Sequence, residues 1–297
     1  MTESEYADPR VRAFADSLGL PGLIDIHTHF MPPRLQERVW AYFDQVGPLT
    51  GRAWPIHYRV DATTRVAILE SFGVKAFSAL AYPHKPGMAR SLNDWTLDFA
   101  SRTPGCVPTA TFYCEEGADE YVAAAIDSGA RLFKCHVQVG GYDPRDRLLD
   151  RVWALLAEAR IPVVAHVGGG PVPGSFTGPA VFGEVLARHP HLPAVVAHLG
   201  MPDVLEFCDL AERYDNVRLD TTMAFAEFWD QPPPSRELVA RLGSLQHKML
   251  LGTDFPTIPY PYFHQLEVLA RLDLGDDWLR AVCWFNGVEL LGRAPND

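Results

Sequence analysis

The chain has 297 residues, of which 47% are hydrophobic and 21% are charged. This length and composition suit a folded globular protein and exclude a disordered one. The formal net charge of −11 also argues against nucleic acid as a partner, because an acidic surface repels phosphate backbones.

Eight short apolar runs recur along the chain after an acidic segment at residues 1–20, which we expect to form an N-terminal helical extension. Their nearly continuous hydrophobicity is typical of parallel strands that are buried on both faces. In chain order the runs are 22–29, 74–81, 106–114, 130–137, 161–167, 193–199, 216–222 and 248–254.

The segments between these runs have helical spacing. In the segment 147–160, for example, apolar residues recur three and four positions apart and charged residues lie opposite. Eight alternations of strand and helix predict an α/β fold, a (β/α)₈ TIM barrel that forms a single domain over residues 21–297. An open, doubly wound sheet is the alternative architecture.

Two long segments, 30–60 and 223–234, break the regular spacing. Both follow the carboxyl end of a predicted strand, which is the end where barrel enzymes build their sites. We therefore expect long loops that form a wall or lid, with Trp54, His57 and Trp229 as substrate contacts. The alternative is an aromatic packing cluster that covers the barrel mouth.

Ligand-type side chains lie at the carboxyl ends of four predicted strands. His27 and His29 end the first strand, and residues two apart on a strand point to the same side. His166, His198 and Asp254 end the fifth, sixth and eighth strands. A single histidine is more often a hydrogen-bonded core residue, but this joint arrangement predicts a site for a divalent metal. Nitrogen and oxygen ligands suit Zn²⁺ best, and also Mn²⁺, Fe²⁺, Co²⁺ or Ni²⁺.

The fourth strand adds Lys134 and His136, which share one face by the same two-residue rule. A lysine that faces a barrel core is costly unless it is paired or modified. We therefore assign both side chains to substrate binding.

This combined pattern resembles the amidohydrolase superfamily, and within it the amidohydrolase 2 group of TIM-barrel metal-dependent hydrolases, which are related to aminocarboxymuconate-semialdehyde decarboxylase. The resemblance implies that one metal is bound by His27, His29, His166 and Asp254. It implies that His198 either binds a second metal or hydrogen-bonds substrate and water. Lys134 is implied to be carboxylated and to bridge two ions in a two-metal site, or otherwise to bind a substrate carboxylate as an ammonium.

The expected activity is that of a metal-dependent hydrolase acting on a small amide, lactone or ester through a metal-activated water. Asp254 is expected to take the proton of the water and pass it to the leaving group, while His198 orients the water or polarises the carbonyl. A non-oxidative decarboxylase of an aromatic or dienoic acid is the alternative enzyme. A non-catalytic ligand-binding barrel is the remaining alternative.

The five cysteines include no C-x-x-C pair, which favours reduced thiols in a cytoplasmic protein. The first residues lack the pattern of a signal peptide, and no stretch reaches the roughly 18 apolar residues of a membrane helix. We expect a small-molecule substrate and neither a nucleic acid nor a membrane as partner. The family resemblance further implies a homodimer.

Overall fold

A computed structural model describes residues 5–229 and 232–292 of the chain. The helices are α1 (Pro9–Ser17), α2 (Pro33–Phe43), α3 (Gly47–Thr50), α4 (Ala62–Ser71), α5 (Ala89–Ser101), α6 (Ala118–Asp127), α7 (Val137–Gly140), α8 (Asp150–Ala159), α9 (Pro179–Arg188), α10 (Val204–Arg213), α11 (Arg236–Ser244), α12 (Tyr262–Ala270), α13 (Asp276–Arg280) and α14 (Asn286–Leu291). The strands are β1 (Leu23–Asp25), β2 (Val74–Ser78), β3 (Cys106–Val107), β4 (Thr109–Thr111), β5 (Leu132–His136), β6 (Val163–His166), β7 (Ala194–Val196), β8 (Val217–Asp220) and β9 (Met249–Leu250).

The chain folds into two compact units. The first unit comprises Met1–Phe77 and Thr221–Asp297, and the second comprises Ser78–Asp220. Helix α1 lies within the segment 1–20 that was predicted as a helical extension. The assignment of residues 21–297 to one domain stays a prediction.

Every apolar run contains a strand, but the strands are shorter than the runs. The third run is divided into β3 and β4 at Pro108, because proline has no backbone N–H to donate to a ladder. The first run leaves the regular ladder after Asp25, whose Oδ1 accepts a hydrogen bond from the His27 N–H at 3.2 Å. A side chain that bonds backbone two residues further on competes with regular strand pairing.

In the first unit, the first and the last apolar runs lie side by side. Beyond β1, their backbones are joined by Ile26 N–H to Leu251 O at 3.0 Å, Asp254 N–H to His27 O at 2.9 Å and His29 N–H to Phe255 O at 2.7 Å. The direction is parallel, since Thr28 bridges Phe255 in parallel register. A barrel of eight parallel strands requires this pairing of its first and last strands, whereas an open sheet does not provide it.

In the second unit, β4, β5, β6, β7 and β8 are parallel, and each pairs with the next along the chain. The register places His136 opposite His166 and Lys134 opposite Val164. Val163, Val164 and Ala165 are fully buried, which explains why this strand is an uninterrupted apolar run. The parallel register brings the carboxyl ends of these strands to one edge.

Within the described residues, all five cysteines are outside disulfides, and four of them are buried. Burial raises the pKa of the Cys283 thiol to about 12, which leaves it protonated and unreactive at neutral pH. The described helices include none with the length and apolar character needed to cross a lipid bilayer.

Candidate metal centre

Two imidazoles and one carboxylate converge in the first unit. The Nε2 atoms of His29 and His27 lie 2.8 Å and 3.4 Å from Oδ1 of Asp254. One ligand atom from each residue lies within 4.8 Å of the others. His27 is fully buried, and the Asp254 side chain is 16% exposed. Both rings approach the same carboxylate, on one side of the chain as the sequence pattern predicted, although both residues lie beyond the end of β1.

The backbone of Asp254 is held in an unusual conformation. Its φ of 70° lies in the left-handed region, which few residues other than glycine adopt, although aspartate and asparagine tolerate it best. The Asp254 N–H donates to His27 O at 2.9 Å, and Asp254 O accepts from the Thr257 N–H at 2.8 Å. Such conformations cluster at functional sites, where surrounding structure enforces them.

This donor set fits a divalent cation. Neutral imidazole nitrogens and an ionised carboxylate are ligands of Zn²⁺ and of other first-row metals, and Asp254 Oδ1 lies within reach of both rings. Two of the three side chains are buried, which reduces competition from water. A cation held by His27, His29 and Asp254 would have two nitrogen ligands and one carboxylate ligand from this chain.

The two long loops meet near the residues that follow Asp254. Trp54, a predicted substrate contact, is buried, and its Nε1–H donates to Thr257 O at 2.7 Å. Its ring lies 5.0 Å from that of Phe228, and the Arg52 guanidinium donates to the Phe228 carbonyl. The segments predicted to form one wall therefore contact each other, although the indole N–H of Trp54 is already engaged by backbone.

The other two predicted substrate contacts of these loops are placed differently. The His57 side chain is exposed and lies 4.7 Å from the Tyr58 ring, while its backbone N–H donates to Ile258 O at 2.9 Å. Although the residue as a whole is exposed, partial desolvation of its ring beside Tyr58 lowers the pKa of His57, which favours the neutral form. Trp229 ends a 3₁₀ turn, Glu227–Trp229, and its side chain lies outside the described part of the structure.

In the second unit, one tyrosine ring and three imidazole rings pack in a row near the carboxyl ends of the strands. The rings of His136 and His166 stack with a centroid distance of 3.8 Å and an interplanar angle of 12°. The Tyr82 ring lies 4.6 Å from His136, and the His198 ring lies 4.8 Å from His166. Lys134 is almost fully buried, and its Nζ lies 6.0 Å from the centre of the Tyr82 ring.

The hydrogen bonds of two of these rings assign their protons. His166 Nε2 lies 3.0 Å from the carbonyl oxygen of Gly170, which can only accept, so Nε2 carries the proton and Nδ1 bears a lone pair. Metal-binding histidines commonly donate their other ring N–H to a backbone carbonyl in this way. His136 has the same tautomer for a different reason: its Nδ1 accepts from the Val139 N–H at 3.3 Å, so the neutral ring carries its proton on Nε2.

His198 begins a run of three left-handed residues. The φ values are 56° at His198, 54° at Leu199 and 74° at Gly200. The His198 N–H donates to Oδ1 of Asp220 at 2.8 Å, and Asp220 is fully buried at the end of β8. This run turns the chain sharply after β7 and fixes the position of the half-buried His198 side chain.

Two buried carboxylates, Asp25 and Asp220, were missed by the sequence analysis. Each has no exposed surface and ends a strand. The available signal was an aspartate at the end of an otherwise apolar run, since burying a carboxylate is costly unless it accepts hydrogen bonds. The fourth predicted metal ligand, His166, the predicted substrate-binding residues Lys134 and His136, and the predicted catalytic roles of His198 and Asp254 remain predictions.

Comparisons with known proteins agree with this fold. The chain resembles an uncharacterised TIM-barrel protein from Bordetella bronchiseptica at 20% identity and a TM-score of 0.73, covering 91% of this chain and 99% of that one. It resembles a probable 2-pyrone-4,6-dicarboxylic acid hydrolase from Acinetobacter baumannii at 12% identity and a TM-score of 0.60, covering 91% and 99%. It also resembles 5-carboxyvanillate decarboxylase from Novosphingobium aromaticivorans, whose structure holds manganese, at 13% identity and a TM-score of 0.64, covering 92% and 98%.

These likenesses confirm the predicted TIM-barrel fold. None of the curated proteins compared with the chain matches it. A family model described as Amidohydrolase matches residues 24–293, which include every predicted ligand and all the strands except the first residue of β1. The predicted superfamily is therefore confirmed, and the chain belongs to the amidohydrolase family.

Proposed function

We propose that this protein is a metal-dependent hydrolase of a small lactone, ester or amide that carries a carboxylate. The observation that carries the proposal is the approach of two imidazole nitrogens, from His27 and His29, to Oδ1 of Asp254. A bound divalent ion, for which zinc is our first choice, would supply a water of lowered pKa. The family pattern adds His166 to the same ligand set.

The remaining steps belong to the side chains of the chain itself. Asp254 presents one carboxylate oxygen to both imidazoles, and we assign to this carboxylate the transfer of a proton from water to the leaving group. His198 is assigned to the substrate carbonyl, where an imidazole N–H stabilises developing negative charge. The left-handed backbone at both residues supports these roles, because strained positions cluster at catalytic sites.

Two side chains of the second unit support this choice of substrate class. Lys134 is buried beside Tyr82, and a contact of this kind suits a charged ammonium rather than a carbamate. The neutral His136 ring carries a proton on Nε2 that can be donated to an anion. These two groups support recognition of a carboxylate, as in the dicarboxylic lactone named for the Acinetobacter protein.

Decarboxylation of an aromatic acid is the second candidate. Its support is the series of rings from Tyr82 through His136 to His166, which offers stacking surfaces to a planar substrate. The similar fold of 5-carboxyvanillate decarboxylase is compatible with this chemistry. An ammonium at Lys134 would hold the carboxylate that is lost.

The test combines metal content with two assays. Elemental analysis of the purified protein gives metal per chain, and the metal-loaded protein is then incubated with 2-pyrone-4,6-dicarboxylate or with 5-carboxyvanillate. Chelator-sensitive opening of the pyrone supports the hydrolase, whereas release of CO₂ from the aromatic acid supports the decarboxylase. A protein that takes up no metal on reconstitution, and whose stability is unchanged by chelation, would instead be a non-catalytic binding barrel.

A Lys134→Met variant separates the two roles of this lysine. If the ammonium binds a substrate carboxylate, KM should rise by about 10- to 100-fold, since a hydrogen bond to a charged group contributes about 1.5–3 kcal/mol. The metal content should be unchanged. Loss of one of two metals per chain, with a collapse of kcat, would instead identify a carboxylated bridge. Lys75→Met, at an exposed position, is the control and should leave both quantities unchanged.

A further inference from the structure

The Asp25 carboxylate lies at the end of β1, two residues before His27, and has no exposed surface. Its Oδ1 accepts from the His27 N–H at 3.2 Å. Its Oδ2 accepts from the Thr253 hydroxyl at 2.6 Å and from the Tyr262 hydroxyl at 2.9 Å. Buried carboxylates that accept several hydrogen bonds are stabilised in the ionised form.

The three donors come from three different segments of the first unit. His27 is itself a predicted ligand, Thr253 directly precedes the ligand Asp254, and Tyr262 is the first residue of α12. The Thr253 hydroxyl also accepts from the Phe255 N–H at 3.1 Å. The residues before and after Asp254 are therefore joined by a hydrogen bond, and the same Thr253 hydroxyl donates to Asp25. Asp25 thus joins the two backbone segments that carry the ligand cluster.

The backbone of Tyr262 is held by a hydrogen bond as well. Its backbone N–H donates to the Tyr58 hydroxyl at 2.7 Å, and both rings are buried. Burial and the neighbouring Asp25 charge raise the pKa of Tyr262, which keeps its hydroxyl a donor. The negative charge of Asp25 acts in an interior where charges interact more strongly than in water.

We propose that Asp25 is a positioning residue of the metal centre, which sets the geometry of His27 and Asp254 through its hydrogen bonds and strengthens cation binding through its negative charge. This inference rests on the proposed metal-dependent function. It assigns to Asp25 no contact with metal or substrate. Carboxylates that orient metal ligands by hydrogen bonds, without touching the metal themselves, are commonly needed for full metal affinity.

The isosteric change Asp25→Asn isolates the charge. An asparagine keeps an oxygen for the His27 N–H, and its NH₂ group can donate to the two hydroxyls once they rotate to accept. The variant should therefore fold, and its metal-free melting temperature should stay close to that of the parent protein. We expect its dissociation constant for Zn²⁺ or Mn²⁺, titrated into chelator-stripped protein, to rise by about 10- to 100-fold.

Tyr262→Phe and Thr253→Val are the matched variants, because each removes one hydrogen bond to Asp25 and keeps the anion; Thr253→Val also removes the bond from the Phe255 N–H. Each should raise the metal dissociation constant less than Asp25→Asn does and should lower the metal-free melting temperature. An Asp25→Asn protein with the dissociation constant of the parent overturns the proposal. So does an equal or larger loss of affinity in either matched variant. If Asp25→Asn fails to fold, a rise of about 10-fold or more in the dissociation constant of Tyr262→Phe, which keeps the anion, overturns the proposal on its own. A parent protein that binds neither ion would contradict the proposed function instead.

Discussion

Replacing Asp254 by asparagine is expected to lower kcat/KM by about 10²- to 10⁴-fold, the range typical for loss of a general acid–base group. Asparagine has nearly the same shape and tolerates the φ of 70° at this position. The fold should therefore survive, while the neutral amide neither accepts a proton nor binds a divalent ion as a carboxylate does. Steady-state kinetics with saturating metal measures the effect.

The matched control is Asp273→Asn. Asp273 is exposed and also has a left-handed backbone, with φ of 54°. The same chemical change in the same conformation should leave kcat/KM and the melting temperature unaltered. Normal turnover by the Asp254→Asn protein would contradict both the assigned proton transfer and the predicted metal ligand.

Replacing Gly200 by alanine is expected to destabilise the protein by about 2–5 kcal/mol, which combines a left-handed backbone penalty with overpacking. Gly200 has φ of 74°. An added Cβ would overlap the buried Phe207 ring, and its distance from the Phe207 Cε2 atom would be only 2.6 Å. For a chain of this size, the melting temperature should fall by roughly 5–15 °C. Differential scanning calorimetry measures this change.

Gly87→Ala separates the two contributions. Gly87 has φ of 78° but no atom within 4 Å of an added Cβ, so this variant has only the backbone penalty of about 1–2 kcal/mol. Equal losses at the two positions would show that Phe207 moves aside at no cost. Because His198 lies two residues before Gly200, we also expect the Gly200→Ala variant to lose activity at temperatures where it is still folded.

The sequence pattern was sufficient to locate the strands and to predict that His27 and His29 face the same side of the chain. Uninterrupted apolar runs locate buried parallel strands because both faces of such strands are covered. The period of two placed His27 and His29 on one side, and the structure brings both to Asp254. Family membership, carried by the same spacing, is confirmed over residues 24–293.

The features that were not predicted depend on interactions between distant parts of the chain. The first strand ends at Asp25 rather than at His29, and the hydroxyls that hold Asp25 come from residues 228 and 237 positions away. Trp54 was predicted to contact substrate from its loop position alone, but its N–H is bound by a carbonyl 203 residues further on. Local periodicity contains no information about such partners.

The wide separation of the ligands along the chain affects when the centre can form during biosynthesis. His29 and Asp254 are 225 residues apart, and synthesis proceeds from the N-terminus. For most of translation, a growing chain therefore contains both imidazoles without their carboxylate. Until His166 is synthesised, an early ion would meet only two imidazoles of the proposed ligand set, so metal would not act as a template for the first strands to fold. Under the proposed function, tight metal retention would therefore distinguish finished molecules from nascent or truncated ones.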